Sequence, residues 1–404
     1  MSTRLTILYV TMLVILRFSM NFINATYVLF LLAHGQNYLD CGLINSIFFA
    51  TQFVFEIPTG IFADVFGRRN SYLLACFFRV VDPFVYAVST TFGGFALAEV
   101  IAALGRTCEN GAFTAWFKDS MIHHGFRDDD DRFLKIFAMA NQAGLIAGML
   151  ATVIGAYAAT LNDSFPWIFS GVAAAINFAF AFSFMKEDYR PKQHSFDWRK
   201  KISEGIATMK RSVVYSVKDE KVFFLILAGA ALSFAVQGIN MQSMPFYKWL
   251  LHGNLVYLGW ISAAIKISVL VGSGLASYLV LKMKSERGAL LLCLLGTGVF
   301  IVLSGFVPIL GTSLLFFYSH EIFRGAHDPI RLDYLHKDIP SRDRATIDSC
   351  SSTSGHLAAV IGLIVSGWLA DTFSIGTSWL WSGIILILAV WLLWCWQARK
   401  SRIS

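Results

Sequence analysis

The sequence predicts an all-α integral membrane protein: twelve transmembrane helices in two pseudo-symmetric six-helix bundles. Three observations carry that prediction. The 404 residues are 56% apolar and only 15% charged, whereas a soluble domain carries about 25% charged residues. The apolar residues lie in long runs, and a bilayer-crossing helix needs about 20 of them. The Lys and Arg residues concentrate in alternate gaps between the runs, which is how membrane topology is written into a chain.

The same pattern narrows the function classes. A net charge of +7 could suggest nucleic acid, but the basic residues sit between apolar runs and form no binding stripe, so no nucleic-acid partner is expected. The six cysteines lie in or at the ends of the runs without ligand spacing and read as small hydrophobes. The first run is too long for a signal-peptide core and lacks a small-residue cleavage site, so it is expected to remain as a helix.

In chain order, the first-half spans are roughly 5–33, 41–63, 71–90, 94–117, 134–160 and 166–185; those of the second half are roughly 222–250, 257–281, 288–308, 312–334, 346–369 and 376–397. An even count puts both termini on one side. The loops after spans 1, 3, 5, 9 and 11 contain no Lys or Arg, and the loop after span 7 has only Lys248 at its edge. The alternate loops carry Arg68 and Arg69, then Lys118, Arg127, Arg132 and Lys135, then Lys282, Lys284 and Arg287, then Lys337, Arg342 and Arg344. Both termini are therefore expected in the cytoplasm, and the very short outer loops suit a bacterial inner membrane.

Residues 186–221 hold ten Lys and Arg and read as a cytoplasmic basic linker between an N-terminal bundle, 1–185, and a C-terminal bundle, 222–404. Within it Ile202, Ile206, Met209 and Val213 recur at helical spacing, as in an amphipathic helix lying on the anionic inner leaflet. The halves echo each other. Asn21-Phe-Ile-Asn24 returns as Gln237-Gly-Ile-Asn240, His34-Gly35 as His252-Gly253, and Arg106 as Arg324. Together these suit a parallel repeat.

The most specific stretch is Glu56–Arg69, EIPTGIFADVFGRR. Gly60, Asp64, Gly67, Arg68 and Arg69 fit G-x-x-x-D-x-x-G-R-R. The glycines permit a tight turn and close backbone approach. The Asp can face a neighbouring helix N-terminus, and the arginines hold the loop on the cytoplasmic side. This resembles the loop between helices 2 and 3 of major facilitator superfamily transporters, and its Glu-Ile-Pro-Thr-Gly start resembles a branch rich in exporters. Residues 339–349 resemble the cytoplasmic start of helix 11 in the same branch. The resemblance implies a cytoplasmic gate: the five motif residues, with Arg344 and Asp348 as partners, grip helix ends while the transporter faces outward.

Ionisable groups inside spans are expensive, so each asks for a function or a partner. Arg106 and Glu109 lie one turn apart on one face of span 4. A carboxylate in an apolar wall beside an arginine can take up and release a proton as a cavity faces alternate sides. The resemblance implies a coupling role for Arg106, since family members commonly carry an Arg on helix 4, whereas Glu109 rests on spacing alone. Glu321, Arg324 and Asp328 repeat the arrangement in span 10. Asp82 and Glu56 complete the proton-coupling candidates, with a Glu56–Arg17 pair as an alternative. Buried ion pairs that fix helix packing are the ordinary explanation for any one of these. Gly144, Gly148 and Gly155 in span 5 serve either close helix packing or a resemblance to the glycine-rich helix 5 of antiporters.

Cavity lining is expected from spans 1, 4, 7 and 10: Arg17, Asn21, Asn24, Tyr27, Gln237, Asn240, Gln242 and His320. Asn and Gln orient a ligand by hydrogen bonds, and the many aromatic residues supply apolar walls. No G-x-x-x-x-G-K-[ST] is present, and His123 and His124 beside Asp128–Asp131 read as a solvated loop rather than a metal site. No metal, cofactor or enzymatic activity is expected. The expected function is a monomeric secondary transporter, a proton-coupled exporter of an amphipathic organic or peptide-like solute. The alternatives are a proton-coupled importer and a non-transporting receptor or assembly factor.

Overall fold

The structure is a computed structural model that describes residues 2–126, 131–187, 203, 207, 219–337 and 341–400. Of the expected linker, only its first two residues, 203, 207 and its last three are described. The amphipathic stretch of Ile202, Ile206, Met209 and Val213 lies outside, as do Asp128–Asp130 and the side chains of Arg344 and Asp348.

The described residues form α1 (Ser2–Asn21), α2 (Tyr27–Ala33), α3 (Tyr38–Phe66), α4 (Arg68–Val88), α5 (Phe92–Glu109), α6 (Ala112–His123), α7 (Asp131–Leu161) and α8 (Phe165–Phe184). After the linker come α9 (Glu220–Leu250), α10 (Leu255–Met283), α11 (Glu286–Phe306), α12 (Leu310–His336), α13 (Ser341–Thr372) and α14 (Ile375–Lys400). Two expected spans are interrupted. Span 1 is α1 plus α2, and span 4 is α5 plus α6. At the first break Asn21 turns its side-chain amide onto the Arg17 carbonyl at 2.5 Å, and the Asn24 amide donates to Asn21 Oδ1 at 2.7 Å. Short amide side chains of this kind compete with the helix ladder. At the second, Gly111 has φ +73°, a left-handed conformation that glycine adopts without a Cβ penalty.

Among the described residues, ten helices are long and apolar enough to cross a membrane. The crossings outside that set are spans 4 and 10. The first is split and carries Glu99, Arg106 and Glu109; the second, α12, carries Glu321, Arg324, Asp328, Arg331 and Asp333. Both carry several charges along their length, which raises the question of a partner or a function for each.

The chain divides into two units. One comprises Met1–His34, Ala50–Glu204 and Asn254–Ala263; the other comprises Gly35–Phe49, Gly205–Gly253 and Ala264–Ser404. Each repeats one packing scheme. In the first unit α1 packs on α7 and α8, and α4 packs on α5 and α8. In the second α9 packs on α13 and α14, and α11 packs on α12 and α14. Thus the first helix of each set meets the fifth and sixth, and the third meets the fourth and sixth.

Glycines set the closest contacts. A Cβ at Gly155 of α7 would lie 1.8 Å from the Phe22 carbonyl oxygen, and one at Gly362 of α13 would lie 2.3 Å from that of Phe234. Gly144 and Gly148 press in the same way on Arg17 and Asn21 of α1. These glycines let α7 lie directly on α1. The first unit's core is aromatic: Tyr9 stacks on Phe113 and Phe117 at 4.8 and 4.2 Å, and Phe113 stacks on Tyr72 at 4.4 Å.

Candidate functional site

The motif loop is built from α3, α4 and the end of α8. Gly67, at φ +101°, turns the chain between α3 and α4. The first backbone amides of α4, those of Arg68 and Arg69, donate to the two carboxylate oxygens of Glu187 at 3.0 and 2.9 Å. A carboxylate there satisfies unpaired amides and faces the positive end of the helix dipole. The Arg69 guanidinium reaches back to the carbonyls of Met185 at 2.5 Å and Phe182 at 3.0 Å, at the C-terminus of α8. A cavity of about 520 Å³ opens beside these groups, lined by Phe66, Arg69, Phe182 and Glu187 among others. Asp64 pairs with Arg68 at 3.1 Å and is largely exposed. The acid on the α4 amides is Glu187. Gly60 faces open space, with no neighbour within 4 Å of a built Cβ.

Deeper in the first unit, Glu109 is the acid of an ion cluster. Its Oε2 lies 3.0 Å from Arg79 Nη2, and its Oε1 lies 3.3 Å from Arg106 Nη1. Glu109 and Arg79 are each 12% exposed, whereas Arg106 is 38% exposed. The break after Glu109 ends α5 where this carboxylate can turn toward α4. The expected Arg106–Glu109 pair is present, and Arg79 joins it. Arg17 of α1 acts electrostatically on Arg106, yet it makes no salt bridge among the described residues. The alternative Glu56–Arg17 pair does not form, because the Arg17 stem lies in the notch that Gly144 leaves on α7. Glu56 is half-buried and has no ion-pair partner among the described residues.

Toward the other end of the same unit, Glu99 of α5 is buried, and its Oε1 accepts hydrogen bonds from Tyr27 at 2.6 Å and Tyr86 at 2.5 Å. Trp167 of α8 stacks on Tyr86 at 4.0 Å, with the rings 11° from parallel. Asp82, one turn before Tyr86, is buried with no hydrogen-bond partner for Oδ1. Tyr27, expected to line the cavity, is thus committed to Glu99. Glu99 was visible as an in-span charge, but its partners come from α2 and α4 and no spacing marks them.

In the second unit Glu321 pairs with Arg324 at 3.0 Å and lies 3.5 Å from His320, with both Glu321 and His320 buried. Arg324 also donates to Asn240 Oδ1 at 2.8 Å. Asp328 does not join them. It is 78% exposed and meets His327 at 3.3 Å and Arg331 at 3.8 Å. The expected three-residue repeat is corrected on this point, because Arg324 turns toward Glu321, the earlier neighbour. Gln242 is also corrected. It is buried and donates to the Ser366 carbonyl at 2.9 Å, tying α9 to α13. Gln237 is buried and bonds the Ser233 carbonyl at 2.9 Å on its own helix. Asn21 and Asn24 satisfy each other and the α1 carbonyls, as described above. Outside the spans, the Lys337 ammonium hydrogen-bonds Glu286 and lies 3.4 Å from Asp333; the Glu286 bond in particular holds its pKa above the ordinary lysine value.

This arrangement holds paired charges within the helices of each unit. The sequence profile of the Major Facilitator Superfamily matches residues 9–347. Over 382 residues the chain is 23% identical to an uncharacterized MFS-type transporter YxaM of Bacillus subtilis (strain 168), covering 93% of this chain and 90% of that one. It is 21% identical over 370 residues to multidrug resistance protein 2 of the same organism, covering 89% and 87%. Its fold is similar to the crystal structure of nucleoside transporter NupG, with a TM-score of 0.79 at 14% identity over 97% of this chain and 98% of that one. A POT family transporter in complex with 5-aminolevulinic acid gives 0.78 at 12% identity, over 98% and 96%. A multi-pass helical fold, charged helices at the fourth and tenth crossings and a profile match over most of the length lead to one assignment: the chain belongs to the Major Facilitator Superfamily of transporters.

Proposed function

We propose that the protein is a proton-coupled exporter that moves an amphipathic organic or peptide-like solute by alternating access. It acts as a monomer in a bacterial inner membrane with both termini in the cytoplasm. The observation that carries the coupling is the Arg79–Glu109–Arg106 cluster: a carboxylate held between two guanidinium groups on charged crossings, where ionised groups are costly and point to function. Asp82, Glu56 and Glu321 are further stations for the proton, and Arg324, which stays charged, biases Glu321 beside it. Export is favoured by the Glu-Ile-Pro-Thr-Gly start of the motif and by the similarity to multidrug resistance protein 2. Gly60, Asp64, Gly67, Arg68 and Arg69, with Arg344 and Asp348, form the cytoplasmic gate in this reading. Glu187 joins them as the group that fixes the start of α4.

The test uses everted membrane vesicles that hold a proton gradient and a panel of amphipathic organic compounds. In wild type, a transported compound dissipates the gradient on addition, and Glu109→Gln abolishes that response. Equal transport by wild type and Glu109→Gln, unaffected by collapse of the gradient, rules out coupling through this residue. A gradient response only when the compound is supplied from the opposite face identifies an importer.

A further inference from the structure

The inference drawn here names the chemical class of the solute and rests on the transport reading above. Four charged groups define it. Arg17, Arg79 and Arg106 supply three positive charges and Glu109 one negative charge; among the described residues Arg79 and Arg106 pair with Glu109, and Arg17 acts electrostatically on Arg106. Arg17 makes no salt bridge or hydrogen bond with its guanidinium among the described residues. Its depth makes that costly: at 1.5 Å per residue it lies about 22 Å along α1 from the first residue, too far to reach one membrane face with ease. Asp82 of α4, a further acid of the same unit, makes no salt bridge among the described residues, and its buried Oδ1 is unsatisfied. Arg106 keeps 38% of its side chain exposed although it lies on one of the two most charged crossings. A part-exposed guanidinium on a crossing is costly against lipid and is better served by a water-filled path or a polar ligand.

The second unit shows no such excess. Arg324 there is matched by Glu321 at 3.0 Å and capped by Asn240. A guanidinium presents planar, paired donors that fit carboxylate, sulfonate or phosphate oxygens, and a bound anion removes the cost of an uncompensated cation. We propose that the solute is an organic anion whose acidic group is taken by Arg17 and Arg106, with Glu109 and Arg79 holding Arg106 in place. Its apolar body lies against the aromatic walls.

The test is binding by the purified full-length protein in detergent, read as the thermal unfolding midpoint by tryptophan fluorescence. The probes are naphthyl, indolyl and biphenyl skeletons, each bearing a carboxylate, a neutral amide or an ammonium. Inorganic phosphate and phosphatidylglycerol are tested alongside. At least one carboxylate probe is expected to raise the midpoint in wild type and in Arg4→Gln, a control that removes an exposed charge from the start of the same helix. Arg17→Gln is expected to raise the half-saturating concentration at least tenfold, and Arg17→Lys to restore part of the response. Without probe, Arg17→Gln should unfold at the wild-type temperature or above it, since it removes an unmatched charge.

The proposal is overturned if no carboxylate probe shifts the midpoint, if amides or ammonium compounds act equally well, or if the response survives Arg17→Gln. A response to phosphate or phosphatidylglycerol with none to the carboxylates also overturns it. So does an unliganded Arg17→Gln that unfolds well below wild type, which would show Arg17 to be a structural partner. Binding is measured without a gradient. Failure of the vesicle experiment therefore leaves the anion site standing, and loss of Arg17 dependence leaves coupling through Glu109 standing.

Discussion

Arg106 and Arg324 occupy equivalent places in the two units, yet they are compensated in opposite directions along their helices. Arg106 pairs forward, with Glu109 three residues on, and shares that acid with Arg79 of a neighbouring helix. Arg324 pairs backward, with Glu321 three residues before, and takes its second contact from a neutral amide, Asn240. One acid serves two arginines in the first unit; one arginine is served by an acid and an amide in the second. The repeat therefore preserved the cation and moved its counter-charge. The first cluster sets two guanidinium groups on one carboxylate and the second sets one on one, so removing an acid should be felt unequally.

The largest effect is expected from Glu109→Gln. It leaves the largely buried Arg79 and the part-exposed Arg106 without their counter-charge, and removing one partner of a fully buried pair costs about 3–5 kcal/mol, an upper bound here. A steep fall in the unfolding midpoint and loss of the vesicle response would be observed. Glu321→Gln should cost less, about 2 kcal/mol, because Arg324 retains Asn240 and the new amide can still accept a hydrogen bond; the same melting assay ranks the two. Asn240→Ala removes one neutral acceptor and should cost about 1 kcal/mol. If it instead matched Glu321→Gln, the amide would be as important as the acid and the contrast between units would fail. Asp328→Asn is expected to be smallest, within about 0.5 kcal/mol, since its partners are met at an exposed carboxylate. It should leave the vesicle response intact. A strong transport defect there would restore the three-residue repeat that the geometry breaks.

These contrasts also mark what a sequence can reveal. The crossings were legible because a bilayer demands long apolar runs, and Arg106 with Glu109 was legible because three residues make nearly one helical turn. Arg79 was not legible as the third member, since it reaches Glu109 only through the packing of α4 on α5. Tyr27 and Gln242 were read as ligand-facing because they are polar on the right spans. Their hydrogen bonds, to Glu99 and to the Ser366 carbonyl, are spent inside their own units. The glycines of α7 advertised a close approach to another helix, while Gly362 of α13 makes the equivalent approach without a comparable G-x-x-x-G around it. The break in span 1 was hidden because Asn21 and Asn24 fit a cavity wall as well as a turn, and only backbone geometry separates the two.

The carboxylate that seats α4 comes from Glu187, a residue reached only after the sixth crossing is complete. A chain severed just after Met185 and expressed as two fragments would leave the first amides of α4 bare and the Arg–Arg corner loose. A cut placed a few residues later would keep that corner with its own fragment. Where the connecting segment is opened therefore decides whether the first half carries its own latch.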